Sequence, residues 1–316
     1  MRILVSSNHR YPARKFPSCD GGIASSRVTD CLVKGLSELG HEVFYRLHKG
    51  AAEPLPVGVT QVSETPPDVD VLHLQDKGLA EEIDTNGVPW VRTIHVDLVM
   101  RGVEHRVRDN WVFVSRTLAR SYESERYVLN GIDPAEYVYS ETKNDYLLFM
   151  CSLDRASDKG LGVALALSES VGFELVIAGS ASDEQVMKQI VGMCEGKNVR
   201  LIGEVCGEEK AMWLAGAKAL LFPTQFNEAF GLVMAEALMS GTPVVCSNLG
   251  ACPELISADV GFVCESLEDY TRAINRVAEI SPAACRAKAM SEYHYLRMAK
   301  DYVKEYEKEM AGSQAD

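Results

Sequence analysis

The sequence predicts an α/β protein made of two doubly wound halves, each with a parallel sheet. The first observation is that short β-rich runs alternate with helical patterns along the whole chain, an order typical of parallel sheets with helices on both faces. The second is a length of 316 residues, enough for two domains that each bury a core. The third is a mean hydropathy of -0.06, which indicates a soluble globular protein.

Ten apolar or β-branched runs carry the strand pattern. They are Arg2–Ser6, Val43–Arg46, Val71–Leu74, Trp90–His95, Val112–Ser115, Tyr146–Cys151, Glu174–Ala178, Val199–Ile202, Ala219–Phe222 and Val244–Ser247. Between the first two, a helix is expected from about Ser25, and Gly40 is a fitting residue to end it. A Glu/Lys-rich pattern with spaced tyrosines predicts a last helix over 291–310.

Composition excludes several classes of function. A net charge of -13 disfavours binding to nucleic acid or to a broad anionic lipid surface. The nine cysteines show neither a Cys-x-x-Cys pair nor zinc spacing, so a reducing cytoplasm is the expected location. No apolar run is long enough to span a bilayer or to act as a signal peptide. The densest basic stretch, from Arg101 to Arg120, is interpreted as a solvated face.

The most informative segment runs from Phe222 to Pro243, where a strand, a loop and a helix start follow one another. The first backbone N–H groups of a helix lack internal partners and, together with the helix dipole, favour a phosphate. Glu228 is expected in the loop before the helix and Glu236 about two turns inside it. Two carboxylates flanking a phosphate site suit the hydroxyls of a nucleotide sugar.

This segment resembles the nucleotide-sugar signature of retaining glycosyltransferases of family 4, which have the GT-B fold. The similarity lies in the two glutamates, the intervening Phe-Gly-Leu-Val and the trailing Ser-Gly-Thr-Pro-Val-Val. The strand from Tyr146 and the segment 202–208 are also similar to a small subgroup that includes a glycosyltransferase of avilamycin assembly. The resemblance implies two Rossmann-like domains facing a central cleft, since ligands bind at the carboxyl ends of parallel strands.

The expected domains are an acceptor-side domain over 1–140, a nucleotide-sugar-binding domain over 141–290, and a terminal helix over 291–316 that crosses back to the first domain. The segment from Tyr127 to Pro134 resembles the family's connection between the two domains.

In the first domain, Gly21 and Gly22 match the family's glycine loop, which approaches the donor phosphates. His95 matches a Thr-x-His element at the end of a strand, where a histidine contacts a sugar hydroxyl or a carbonyl at the reacting centre. His73 is interpreted as structural. Asp68 and Asp70 form an Asp-x-Asp pair, but two prolines precede it and a strand follows it, so it is interpreted as a strand start and no catalytic metal is expected.

In the second domain, the family holds the diphosphate with an arginine and a lysine. Lys159 matches the lysine, whereas Ser152 occupies the expected arginine position and Arg155 follows three residues later. Whether Arg155 replaces that arginine is left open.

The remaining expected donor contacts come from two further segments of the second domain. Gly203 and Glu204 end a strand where the family brackets the base. The helix start supplies the last contacts, and it is formed by Phe230, Gly231 and Leu232.

The resemblance implies an enzyme, a retaining and metal-independent transferase of hexosyl type. Its donor would be a UDP- or GDP-sugar, and its acceptor the hydroxyl of a small molecule, glycan or glycolipid. Besides this nucleotide-sugar co-substrate, no cofactor, nucleic-acid partner or membrane span is expected. His95, Lys159 and Glu228 are the expected catalytic residues. Two alternatives stay open: a nucleotide-sugar epimerase of GT-B fold, and a nucleotide-sugar-binding protein that does not transfer.

Overall fold

The structure is a computed structural model that describes residues 1–13, 23–75, 85, 87–98 and 107–312. The chain forms two compact units. Unit 1 consists of Met1–Asp133 together with Glu292–Asp316, and unit 2 is Pro134–Ser291. Among the described residues no helix is both long enough and apolar enough to cross a membrane.

Unit 1 is built on a six-stranded, all-parallel sheet with the strand order β3-β2-β1-β4-β5-β6. Its strands are β1 Arg2–Ser7, β2 Glu42–Leu47, β3 Val59–Val62, β4 Val71–Leu74, β5 Trp90–Ile94 and β6 Trp111–Phe113. Its helices are α1 Ile23–Glu38, α2 Arg116–Ser121 and the terminal α10 Tyr295–Gly312. The central strands are apolar and buried on both faces, as expected of a parallel sheet that helices cover.

Helix α10 packs closely against α1, and Gly35 makes this approach possible. A Cβ atom at Gly35 would lie 2.8 Å from the Cβ of Ala299. At the end of α1, the Tyr295 hydroxyl donates a hydrogen bond of 2.7 Å to Glu38. The last helix of the chain is therefore part of the core of unit 1.

Unit 2 repeats the architecture with the strand order β12-β11-β10-β7-β8-β9, again all parallel. Its strands are β7 Tyr146–Met150, β8 Glu174–Ala178, β9 Val199–Gly203, β10 Ala219–Phe222, β11 Val244–Ser247 and β12 Gly261–Cys264. Its helices are α3 Leu161–Val171, α4 Glu184–Cys194, α5 Gly207–Gly216, α6 Leu232–Met239, α7 Cys252–Leu255, α8 Leu267–Arg276 and α9 Pro282–Glu292.

The predicted fold class is confirmed: each unit is a parallel sheet with flanking helices. The strand pattern missed β3 and β12, the edge strands next to β2 and β11. Strand β3 is too polar to stand out, and Gly261 interrupts the apolar pattern of β12. Two predicted strands, Trp90–His95 and Tyr146–Cys151, ran one residue too far, and Val112–Ser115 ran two residues too far. The last one ends early because Ser115 caps α2 by accepting a hydrogen bond of 3.1 Å from the Leu118 amide.

Each sheet contains one point where the strand order reverses, and the crevice above such a point is where open α/β sheets bind ligands. In unit 1 the reversal lies between β1 and β4, and in unit 2 between β7 and β10. The loops that follow these four strands are therefore the first places to look for a site.

Candidate functional site

The loops after β7 and β10 lie against each other at the reversal point of unit 2. The Gln225 amide donates a hydrogen bond of 2.7 Å to the Asp158 carbonyl. Gly160 follows Lys159 and has a φ of +82°, and a Cβ there would lie 1.9 Å from the Pro223 carbonyl oxygen. The two loops meet next to Lys159, and they approach so closely that only glycine fits at position 160.

Lys159 and Glu228 form an ion pair across these loops. The Lys159 Nζ and Glu228 Oε2 atoms are 2.5 Å apart, and the side chains are 17% and 13% exposed. The same ammonium group lies 5.3 Å from the ring centre of Phe222 and 4.8 Å from that of Phe226. The sequence prediction placed both charged residues in one site, and the structure brings them into contact.

Arg155 reaches the same aromatic ring as Lys159. Its guanidinium carbon is 4.6 Å from the centre of Phe226, and it pairs with Asp158 at 3.0 Å. Ser152 lies at the start of the short 3-10 turn Leu153–Arg155, and this turn carries the arginine toward Phe226. Two cations thus lie beside the Glu228 loop, with Arg155 the more exposed of the two.

The loop after β11 supports Glu228 from behind. The Ala251 amide donates a hydrogen bond of 2.8 Å to the Glu228 carbonyl. Gly250 has a φ of +57°, and a Cβ there would lie 2.2 Å from the Glu228 backbone nitrogen. A side chain at Gly250 would therefore displace the carboxylate that pairs with Lys159.

Helix α6 begins at Leu232, directly after Gly231, which has a φ of +81°. Phe230 is buried at 3% exposure and anchors the approach to the helix. The strand, loop and helix order predicted from the sequence is present. One detail was wrong: Glu236 is only the fifth helical residue, little more than one turn from the start.

Glu236 is almost fully buried, with 6% of its side chain exposed, and both carboxylate oxygens are engaged. Tyr137 donates a hydrogen bond of 3.0 Å to Oε1, and the Lys210 Nζ lies 2.6 Å from Oε2. Sequence reasoning missed both partners. They lie 99 and 26 positions away on other elements, and no local pattern links them to the signature helix.

Gly203 and Glu204 also lie at the carboxyl edge of the sheet, but β9 is two strands from β7 on the side away from β10. Gly203 accepts a hydrogen bond of 2.7 Å from the Gly179 amide, and Ser180 donates one of 2.8 Å to Glu204. Gly203 has a φ of +73°, and a Cβ there would meet open space. The structure joins this pair to the loop after β8.

In unit 1, His95 follows β5, and its Nε2 is 2.6 Å from Gln75 Oε1, in the residue that follows β4. The predicted glycines Gly21 and Gly22 lie outside the described residues. His73, interpreted as structural from the sequence, is fully buried within β4. Burial lowers its pKa to about 3, so its ring is neutral near pH 7.

The Asp-x-Asp pair lies at the opposite edge of the sheet from His95. Asp70 directly precedes β4 and accepts a hydrogen bond of 2.7 Å from the Arg2 amide. Arg2 also lies 3.8 Å from the Asp68 carboxylate. These contacts agree with the interpretation as a strand start. Over the residues that the structure describes, no group of three or more His, Cys, Asp or Glu has a geometry suited to a metal ion.

Comparison with known proteins gives a consistent result. Residues 144–279 match the family model described as glycosyl transferases group 1. A phosphatidyl-myo-inositol mannosyltransferase of Mycobacterium leprae is 30% identical over 142 residues, which cover 42% of this chain and 37% of that relative. The chain thus matches less than two fifths of that relative's length.

Solved structures match over nearly the whole chain. The crystal structure of AviGT4, a glycosyltransferase involved in avilamycin A biosynthesis, is 26% identical, with a TM-score of 0.79 and coverage of 99% of both chains. Anabaena Alr3699/HepE in complex with UDP is 14% identical, with a TM-score of 0.72 and coverage of 96% of this chain and 99% of that one. These matches confirm the resemblance and the fold class predicted from the sequence.

Proposed function

Taking the chain as a family 4-like glycosyltransferase with the GT-B fold, we propose that it transfers a hexosyl group from a UDP- or GDP-sugar to a hydroxyl acceptor. We further propose that the reaction retains the anomeric configuration and needs no metal ion. The single observation that carries the proposal is the Lys159–Glu228 ion pair at the reversal point of unit 2, with Arg155 at the same aromatic ring.

This arrangement suits the charge that develops during transfer. The bond between sugar C1 and the diphosphate oxygen breaks, the acceptor oxygen bonds to C1, and the acceptor proton passes to the departing diphosphate. The negative charge on the diphosphate then needs fixed cations or dipoles nearby. Lys159, Arg155 and the first N–H groups of α6, from Gly231 to Leu232, supply them in the proposal.

The carboxylates would hold hydroxyl groups. Glu228 is assigned to the donor sugar and Glu236 to the ribose. Each can bind a hydroxyl while keeping its present partners, because each carboxylate oxygen accepts more than one hydrogen bond. The open space at Gly203, next to Glu204, suits contacts to the base. A nucleotide on this fold has a precedent in the UDP complex of the Anabaena protein.

The family resemblance assigns His95 to the sugar and Gly21 and Gly22 to the phosphate side. In the proposal the acceptor attacks from the side on which the diphosphate leaves. Holding acceptor and C1 in position is then the main source of rate acceleration.

The test is a panel of UDP-, GDP-, ADP- and TDP-sugars incubated with the purified protein and a metal chelator. Release of nucleoside diphosphate from one donor, suppressed in Lys159→Ala and in Glu228→Ala, supports the proposal. With an acceptor present, proton NMR of the first product reports the anomeric configuration. An inverted product overturns the assignment as a retaining enzyme, and activity that requires added metal overturns metal independence.

The same panel separates the two alternatives. Release of a free sugar epimer without an acceptor indicates an epimerase. Tight binding of one nucleotide sugar without turnover indicates a binding protein that does not transfer. The Ser152 substitution motivates this second alternative, and the position of Arg155 beside Phe226 argues against it.

A further inference from the structure

A chain of hydrogen-bonded side chains runs from His95 into the core of unit 1 and ends on α10. His95 Nε2 is 2.6 Å from Gln75 Oε1, and Gln75 Nε2 is 3.0 Å from His73 Nε2. His73 Nδ1 is in turn 2.6 Å from the Tyr306 hydroxyl. Gln75, His73 and Tyr306 are all buried, with exposures of 6%, 0% and 0%.

A side branch holds the His73 ring from the neighbouring strand. Thr93 Oγ1 is 2.7 Å from His73 Nε2 and 2.7 Å from the Tyr302 hydroxyl. The tyrosine rings also pack on His73, with ring centres 4.6 Å away for Tyr302 and 5.6 Å for Tyr306. Strands β4 and β5 and helix α10 therefore all fix this one imidazole ring.

Protons cannot be placed independently along such a chain. A neutral imidazole has one donor nitrogen and one acceptor nitrogen, and a glutamine side chain donates through its nitrogen and accepts through its oxygen. His73 is neutral, because burial lowers its pKa to about 3. The nitrogen that carries the proton on His73 therefore sets the orientation of the Gln75 amide, and this orientation sets which nitrogen carries the proton on His95.

Two arrangements of protons satisfy every hydrogen bond from His95 through Gln75 and His73 to Tyr306. In the first, His73 donates from Nδ1 to Tyr306 and accepts at Nε2 from Gln75, whose oxygen then accepts from His95 Nε2–H. In the second, the Gln75 amide is reversed, His73 accepts from Tyr306, and His95 Nε2 accepts a hydrogen bond. The Gln75 side chain is oriented with Oε1 toward His95 and Nε2 toward His73, which is the amide orientation of the first arrangement.

We infer that Gln75 and His73, anchored by Tyr306, are positioning residues that hold the proton of neutral His95 on Nε2. The nitrogen left as an acceptor on His95 is then Nδ1. This inference rests on the proposed function only in giving His95 a role at the reacting sugar. A histidine whose tautomer is set in advance presents the same hydrogen-bonding pattern at every turnover, without a change of structure at that step.

The direct test is nitrogen NMR of protein labelled with ¹⁵N-histidine at about pH 8, where an ordinary histidine is neutral. The chain has seven histidines, so His95→Gln and His73→Gln variants assign the two signals of interest. The expected spectrum shows a protonated-type Nε2 and an unprotonated-type Nδ1 at His95, with the reverse at His73. A His95 protonated on Nδ1 in the wild-type protein overturns the inference.

Two substitutions at position 75 sharpen the test. A carboxylate accepts but does not donate, so Gln75→Glu is expected to keep the proton of His95 on Nε2 while His73 moves its own proton to Nε2. Gln75→Met has a similar length and makes no hydrogen bond to His95, so the fraction of His95 protonated on Nε2 is expected to fall. An unchanged His95 spectrum in Gln75→Met overturns the inference, and the wild-type and Gln75→Glu spectra decide it if Gln75→Met does not fold.

Activity provides the second measurement. Gln75→Met is expected to lower kcat about tenfold or more with a smaller change in KM, because a misplaced hydrogen-bonding group affects the reacting geometry more than donor affinity. Gln75→Glu is expected to retain more activity than Gln75→Met. If the spectra are as expected but neither the wild-type protein nor any variant cleaves a donor, the proposed function fails and the inference about the His95 tautomer stands. If transfer is measured and Gln75→Met matches wild type in kcat and spectrum, only the inference about the His95 tautomer fails.

Discussion

The reversal points of the two sheets are built from opposite kinds of chemistry. In unit 2 the loops after β7 and β10 bring together charged side chains, Lys159 with Glu228, and one turn into α6 Glu236 meets Lys210. In unit 1, the amide side chain of Gln75, after β4, is hydrogen-bonded directly to His95, after β5, and to the buried His73. Both rest on the same kind of parallel sheet.

This difference suits the two regions to different tasks. The ion pair of unit 2 can bind a charged ligand, and the hydrogen-bond chain of unit 1 fixes the orientation of a side chain. A partly exposed ion pair such as Lys159–Glu228 has two ends that can each take a new partner, the lysine a phosphate and the glutamate a hydroxyl. A buried neutral chain has no such freedom, since each group is already donor or acceptor to its neighbour. The comparison predicts that removing a charge in unit 2 weakens donor binding. Substitutions in the hydrogen-bond chain of unit 1 are instead expected to change local geometry and stability.

The largest expected effect is that of Lys159→Ala. Removing the cation nearest to Glu228 is expected to lower turnover of the nucleotide sugar by about 10²- to 10³-fold, the usual cost of losing one group that stabilises developing charge. Steady-state release of nucleoside diphosphate measures it. Lys218→Ala is the matched control, because Lys218 also pairs with a carboxylate, at 2.7 Å, but lies at the amino end of β10, whereas Lys159 lies in the loop at the carboxyl end of β7. Equal activity of the two variants would contradict the assignment.

The second effect is on the stability of unit 2 through Lys210→Met. Loss of the ammonium removes the cation that pairs with the buried Glu236 carboxylate and keeps its hydrogen bond from Tyr137, at an expected cost of about 3 to 5 kcal/mol in the free energy of unfolding. The double variant Lys210→Met/Glu236→Gln is expected to regain most of that stability and to bind nucleotide poorly. Urea unfolding and nucleotide titration report the two quantities separately, and a single variant as stable as wild type would show that the pair is not coupled.

The third effect is a pH dependence that belongs to unit 1. Burial lowers the pKa of His73 to about 3, whereas an unfolded histidine titrates near 6.5. Between those values the unfolded chain binds a proton that the folded chain does not, so the free energy of unfolding falls as pH falls, by up to about 1.4 kcal/mol per pH unit. His73→Gln removes this contribution, and the difference between its unfolding curves and those of wild type isolates it. Parallel pH dependences in the two proteins would contradict a neutral, buried His73.

The smallest expected effect is that of Arg155→Ala. Arg155 is 46% exposed and is held by Asp158, so it is expected to contribute about tenfold to turnover, less than Lys159. The effect should decline with added salt, because an exposed cation is screened more than a buried one. A loss equal to that of Lys159→Ala would show that Arg155 is a full replacement for the arginine that Ser152 displaces.

Most of the fold was accessible from the sequence because buried parallel strands are continuous apolar runs. Val71–Leu74 and Ala219–Phe222 are fully buried and were placed without error. The edge strand Val59–Val62 was missed, since half of its residues face solvent and its pattern is weak.

The candidate site divides in the same way. Glu228 belongs to a local pattern of strand, loop and helix, and Lys159 was expected in the same site because it matches the diphosphate-binding lysine of the family that the chain resembles. Lys210 pairs with Glu236, which lies 26 positions away on another helix, and Gln75 bonds to His95, which follows the neighbouring strand. Such contacts depend on strand order and helix packing, which a single sequence does not specify at the level of side chains.

The central claim, that Lys159 in unit 2 holds the diphosphate of a nucleotide donor, is tested most directly by calorimetric titration. UDP, GDP, ADP and TDP are titrated into wild-type, Lys159→Ala and Lys218→Ala proteins in the presence of a metal chelator. The account predicts that one nucleotide binds wild type and Lys218→Ala with equal affinity, and Lys159→Ala at least about tenfold more weakly. Binding of no nucleotide to the wild type, or equal binding to all three proteins, would contradict it.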